Sequence, residues 1–142
     1  MASILKVDEL QGIVSAGDIT VTSEGGAATQ SLQQGLAKMW VSFSTASGTP
    51  SAYDSLNVAS FTDAATGRTT ITLTNNMNND DWAGFGHSSG FTGAATPGNL
   101  AENSAVFLDR TTSDGELDVW KPTANAMGDA TLNDASIHGD LA

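Results

Sequence analysis

The chain has no cysteine, which excludes disulfide staples, thiolate zinc centres and thiol nucleophiles, and leaves no mark of a redox compartment. Basic residues are scarce. Five Lys and Arg stand against 16 Asp and Glu, a formal charge of −11 over 142 residues. Such a charge repels phosphate backbones and anionic lipid, so neither nucleic acid nor a membrane surface is an expected partner. No apolar run approaches the roughly 20 residues that cross a bilayer, and membrane insertion is not expected either. Met1 to Leu10 mixes Lys6, Asp8 and Glu9 with apolar side chains and lacks the basic head and apolar body of a secretory signal. Large apolar side chains are also thin on the ground, because Ala, Ser and Thr fill roughly a third of the chain where ordinary domains lean on Leu, Ile and Val. A single domain of this length can bury a core, but sheet pairing or contacts between subunits must supplement it. With 15% charged residues the chain does not have the charge-dense composition of a disordered protein.

What is present reads mainly as β. Ile4, Leu5, Val7 and Leu10 follow neither period 2 nor period 3.6 and predict an extended arm; Asp18 to Ser23 alternates as a short strand before Glu24-Gly25-Gly26. From Thr29 the period changes. Leu32, Leu36, Met39 and Trp40 fall at i, i+4, i+7 and i+8, one face of a helix that Ser31 or Thr29 caps and Gly35 weakens. A helix this short is marginal alone, so its face packs either on a sheet or against copies of itself. Val41 and Phe43 then alternate. The pair Leu56–Phe61 and Thr69–Thr74 reads as a hairpin around Asp63 to Gly67, and Asn75 to Asp81 as a turn. In Trp82 to Ser88, Ala83, Phe85 and His87 share one face and Trp82, Gly84 and Gly86 the other, the glycines marking a close backbone neighbour. A long loop, Ser89 to Asn103, leads to strands over Ser104–Thr111 and Glu116–Lys121 joined by Ser113-Asp114-Gly115, and Ala130 to Leu141 holds a last strand. Six to eight strands at this spacing predict a mainly β fold. The expected architecture is an antiparallel, jelly-roll-like β-sandwich head at 42–142, preceded by an arm at 1–28 and a short helix at 29–41.

Catalytic patterns are weak. His87 and His138 are the two histidines, with no His-Glu-x-x-His spacing, no Gly-x-Ser-x-Gly elbow and no Gly-x-Gly-x-x-Gly among Gly84, Gly86 and Gly90. Asn78, Asn79, Asp80 and Asp81 offer hard oxygens to calcium but lack the 12-residue loop with its closing Glu, and a solvated turn is the plainer reading. Asp109 with Arg110, and Asp114 with Glu116, are candidate carboxylate pairs for glycoside cleavage or, more simply, charges guarding a sheet edge. No catalytic residue, metal or cofactor is expected. Trp40, Trp82 and Trp120 each belong to the core or to an interface. If Leu117 and Val119 face inward, Trp120 faces out and is the best candidate subunit contact.

Several segments are similar to small virion and fibre proteins of tailed marine bacteriophages: Ile4–Gln11, Ala16–Gly26, Ser31–Lys38, Asp54–Asp63, Thr69–Thr74 and Ile137–Ala142. The resemblance implies a non-enzymatic, homotrimeric virion appendage, and the absence of a long shaft favours a capsid decoration protein, head fibre or short tail-attached protein. It implies particle attachment, to capsid or tail proteins, through Ile4, Leu5, Val7 and Leu10. The trimer contact falls to Leu32, Leu36, Met39 and Trp120. Contact with a host-surface glycan falls to the loops bearing Trp82, Phe91, Asn78 and Asn79, which are otherwise solvated turns. A carbohydrate-binding module and a polysaccharide depolymerase are the competing classes.

Overall fold

The computed structural model describes residues 6–11, 19–22, 26, 28–91, 104–121 and 125–142. The chain divides into two compact units, Met1–Leu36 and Ala37–Ala142. In the first, β1 (Thr20–Thr22) pairs antiparallel with β2 (Thr29–Ser31), and α1 (Leu32–Gly35) follows. Ser31 caps α1 by accepting from the Gln34 N–H, and the Leu32 N–H donates to the Ile19 carbonyl at 2.7 Å. None of the described residues of this unit is buried.

The helix expected over 29–41 stops after four residues. Leu36 is already extended, at φ −98° and ψ 145°. The spacing of Leu32, Leu36, Met39 and Trp40 fits a helix face, but Met39, Val41 and Phe43 also fit period 2. That second pattern prevails because all three side chains enter the core of a sheet. The boundary between units accordingly falls at Leu36–Ala37, within the span expected to be helical.

The second unit is the mainly β, antiparallel sandwich that the alternation predicts, in a nearly closed, barrel-like form. Its strands are β3 (Met39–Ser44), β4 (Ser51–Leu56), β5 (Val58–Ala65), β6 (Arg68–Leu73), β7 (Ala83–Phe91), β8 (Ser104–Arg110), β9 (Asp114–Lys121), β10 (Ala126–Met127) and β11 (Ala130–His138). They lie in the order β4-β3-β11-β7-β8-β9-β6-β5, with β10 on β9. The two ends of that order, β4 and β5, are consecutive in the chain with only Asn57 between them. Phe43 of β3 stacks on Phe61 of β5 at 5.1 Å, so residues near opposite ends of the sheet meet across the core. Ile71, Leu73, Leu117, Val119 and Ile137 complete the interior from β6, β9 and β11. A small polar network lies within it: Ser88 donates to the Asn133 side-chain carbonyl at 2.8 Å, and Thr45 exchanges hydrogen bonds with the Ala130 backbone.

Asn57 makes the corner. Its φ of 60° is left-handed, a conformation that Asn tolerates better than most residues. Its side-chain amide donates to the carbonyls of Lys38, just before β3, at 2.9 Å and of Asn75, just after β6, at 3.0 Å. Its side-chain oxygen accepts from the Asn75 N–H at 2.6 Å. One side chain thus ties together the two ends of the sheet. The hairpin between β5 and β6 is tighter than the five-residue loop expected, because Ala65 already pairs with Arg68. Gly67 makes this possible, with φ 72° and the Val119 carbonyl 2.9 Å from where a Cβ would stand.

Asn57→Ala is expected to lower stability by about 2–4 kcal/mol, from lost hydrogen bonds plus left-handed strain. Asn57→Gly, which keeps the backbone freedom and loses only the bonds, is expected to cost less. Equilibrium urea unfolding of both variants measures the difference.

Candidate functional site

Registers across the sheet define its outer surface residue by residue. Leu56 of β4 lies opposite Trp40 of β3, Trp40 opposite Ser136 of β11, and Ser136 opposite Phe85 of β7. Gly86 opposite Ala105 sets Phe85 beside Val106 of β8; Val106 lies opposite Asp118 of β9, and Asp118 opposite Arg68 of β6. The outer row is therefore apolar or uncharged over five strands and ionic over the last two. Phe85 is 62% exposed, Trp40 39% and Trp120, one step along β9, 38%. Phe85 points outward because its strand neighbours are glycines that face inward: a Cβ at Gly86 would stand 2.7 Å from Leu117 and one at Gly84 2.8 Å from the Trp82 indole. Beside Phe85, a shallow groove on β7 and β11 is lined by His87, Asp134 and Ser136, with His87 Nδ1 3.9 Å from an Asp134 carboxylate oxygen. His138 meets the Phe85 ring edge to face at 6.1 Å. Among the described residues no group of three or more His, Asp or Glu has the arrangement of a metal site.

At the ionic end of the row, Arg68 Nη2 lies 3.1 Å from Asp118 and Nη1 3.8 Å from Glu116. Asp118 is buried, and one of its carboxylate oxygens has no hydrogen-bond partner. Burial raises the Glu116 pKa above the ordinary glutamate value, the Asp118 charge adds to the rise, and Arg68 opposes it. A proton is thus held more tightly on Glu116 than on a free carboxyl. Sequence reading cast Asp114 and Glu116 as guards of a sheet edge, but β9 lies between β6 and β8 and is no edge. Asp114 instead closes the β8–β9 turn, accepting from the Ser113 hydroxyl at 3.0 Å.

Two expected contact residues prove to be core residues. Trp82, assigned to a host-facing loop, is 1% exposed. Its indole N–H donates to the Thr111 carbonyl at 2.9 Å, Phe107 meets it edge to face at 5.2 Å and Arg110 lies 5.6 Å over its ring. Gly84, Gly115 and Gly139 leave the room it occupies. Met39, assigned to a trimer seam, is fully buried in β3, so the helical seam with Leu32 and Leu36 does not form. Leu32 lies in α1 and Leu36, 55% exposed, follows it, both lining a groove with Val21 in the first unit. Asn78 and Asn79 are exposed, and the turn that carries them is pinned by the buried Met77, whose N–H donates to the Thr112 carbonyl. Val7 and Leu10 are exposed. Of the loop expected over Ser89–Asn103, Ser89–Phe91 instead end β7, while residues 92–103, the side chain of Phe91, and Ile4 and Leu5 lie outside the described residues. Trp120 does face away from the core, as the alternation of Leu117 and Val119 predicts. The sequence reading missed Trp40 as an outward residue because it placed it on a helix. For Phe85 the signal was present in the glycines on either side.

No family model, curated protein or solved structure matches this chain.

Two outcomes follow. Trp82→Ala is expected to cost about 3–5 kcal/mol of stability, as for other buried aromatic truncations, measured by chemical denaturation. For Glu116, the folded state binds its proton more tightly than the unfolded state, so its contribution is fully present below the ordinary glutamate range and is lost as pH rises through the raised value. Glu116→Gln is therefore expected to melt higher than the parent at neutral pH, the gap closing toward about pH 4. Thermal unfolding across that range reads it directly.

Proposed function

We propose that the chain is a non-enzymatic structural protein of a bacteriophage virion: a homotrimeric capsid decoration or head-fibre protein, or a short tail-attached protein. The N-terminal unit docks on the particle and the β head meets the surroundings, including the host surface. The observation that carries this reading is the state of the N-terminal unit, whose described residues include no buried side chain and whose Val7, Leu10, Val21 and Leu36 are exposed. The described part of the unit, a two-stranded ribbon with one helical turn, supplies no core by which to stand alone in water, and without cysteine no disulfide can brace it. Apolar side chains held out in this way are what a docking segment offers to a larger partner. The segmental likeness to virion proteins supplies the identity of that partner, a capsid or tail protein.

A specific feature favours host contact by the head. The groove beside Phe85 sets an open aromatic ring next to a carboxylate, an imidazole and a hydroxyl. Sugars bind on such combinations, with the ring under their apolar face and the polar groups on their hydroxyls.

Deleting residues 2–12 is expected to leave a folded head that no longer joins particles. Co-sedimentation with virions lacking the protein checks this, and undiminished incorporation of the truncated chain overturns the attachment role.

A further inference from the structure

One guanidinium serves two carboxyl groups at the ionic end of the outer row. Glu116 and Asp118 stand two residues apart on β9 and so leave the strand from the same face, with Thr70 and Arg68 of β6 opposite them in register. Arg68 sets Nη2 3.1 Å from Asp118 Oδ2 and leaves Nη1 3.8 Å from Glu116 Oε1, too far for a hydrogen bond. The Asp118 side chain is only 5% exposed, and no N–H or hydroxyl among the described residues reaches its Oδ1. A buried carboxylate oxygen left in this way carries the full penalty of desolvating a charged acceptor.

The group that can relieve it stands beside it. The Glu116 carboxyl lies within hydrogen-bonding reach of the Asp118 side chain, and a carboxyl donates to a carboxylate only while it holds its proton. Two ionised carboxylates in one site repel each other, and a single Arg68 cannot neutralise both. From β8, Asp109 adds a further negative charge felt by Glu116, whereas Arg110 of that strand donates instead to the Trp82 carbonyl. On the remaining side, β10 brings only Ala126 and Met127 against β9. Within β9 itself, the Ser113 hydroxyl engages Asp114, and Lys121 alternates to the other face. Arg68 is thus the one charge facing Glu116 that opposes its neutral form.

We propose that Glu116 and Asp118 share one proton, borne by Glu116 and directed at Asp118 Oδ1, and that this acid–carboxylate pair latches β9 to β6 through Arg68 until rising pH removes the proton. With the proton in place, Oδ1 accepts a hydrogen bond and Arg68 answers the single charge of the pair. When the proton passes to solvent, Oδ1 loses its donor. Glu116, the farther of the two from Arg68, then turns outward, and the seam between β6 and β9 carries the repulsion between the carboxylates.

Carbon-13 NMR of the side-chain carboxyls in the full chain, titrated from about pH 3 to about pH 9, reads the shared proton without any substitution. The Glu116 Cδ signal is expected to titrate above the ordinary glutamate range, and Asp118 Cγ to move at the same midpoint. Amide hydrogen exchange reads the latch. Protection in β6 and β9, divided by that in β3 and β11 at the same pH, is expected to fall several-fold across that midpoint. In Glu116→Gln, whose side-chain amide can donate to Oδ1 at every pH, the ratio is expected to stay flat. The proposal is overturned by a Glu116 midpoint in the ordinary range, by an Asp118 signal that does not follow it, or by an exchange ratio that is flat in the parent or still falls in Glu116→Gln. The three measurements on the parent decide the matter even where the variant does not fold.

Discussion

Closure of the β head depends on a single corner. A strongly curled sheet ends in two edge strands, and exposed edges invite pairing with other chains. Here the edge strands β4 and β5 are neighbours in sequence, and Asn57 turns the chain from one to the other while its side chain grips the backbone before β3 and after β6. With those ends fixed, Phe43 can stack on Phe61 and the sparse set of large side chains suffices to fill the interior. The residues that remain outside, Trp40 and Phe85 among them, are outside because the closed sheet leaves them no inward position.

How far the sequence could be read follows from how each element is buried. Strands with one face in the core were legible: Val41 and Phe43 in β3, Ile71 and Leu73 in β6, and Leu117 and Val119 against Trp120 in β9 all alternate as their burial does. Strand β4 was not, because all six of its residues are exposed and no apolar alternation marks it. For the same reason the Asn57 corner falls inside the strand expected over Leu56–Phe61, at its second residue. The helix was overextended where two periods coincide, and only the contact between Met39 and the core, which no local pattern carries, decides between them.

The candidate surface was less legible than the fold. A tryptophan's destination depends on what lies opposite it, and Trp82 is enclosed by glycines from β7, from β9 and from beyond β11. Of those positions only Gly84 is near Trp82 in sequence. Trp120 could be assigned because its strand alternates cleanly. The asymmetry is general: outward residues are identified by their strand partners, whereas inward residues need the whole ring of strands to be known.

The place of β11 has a consequence for synthesis. It lies between β3 and β7, with Asn133 opposite both Phe43 and Ser88, so the wall of the head contains a strand made some 90 residues after the one it joins. Hairpins β3–β4, β5–β6 and β8–β9 can form as they emerge from the ribosome, but the gap between β3 and β7 stays open until β11 follows. During that interval two strand edges lack partners and the inner faces of Met39, Val41 and Phe43 lack their cover, the condition in which nascent chains are most exposed to one another, and it ends only when the final strand fills the gap.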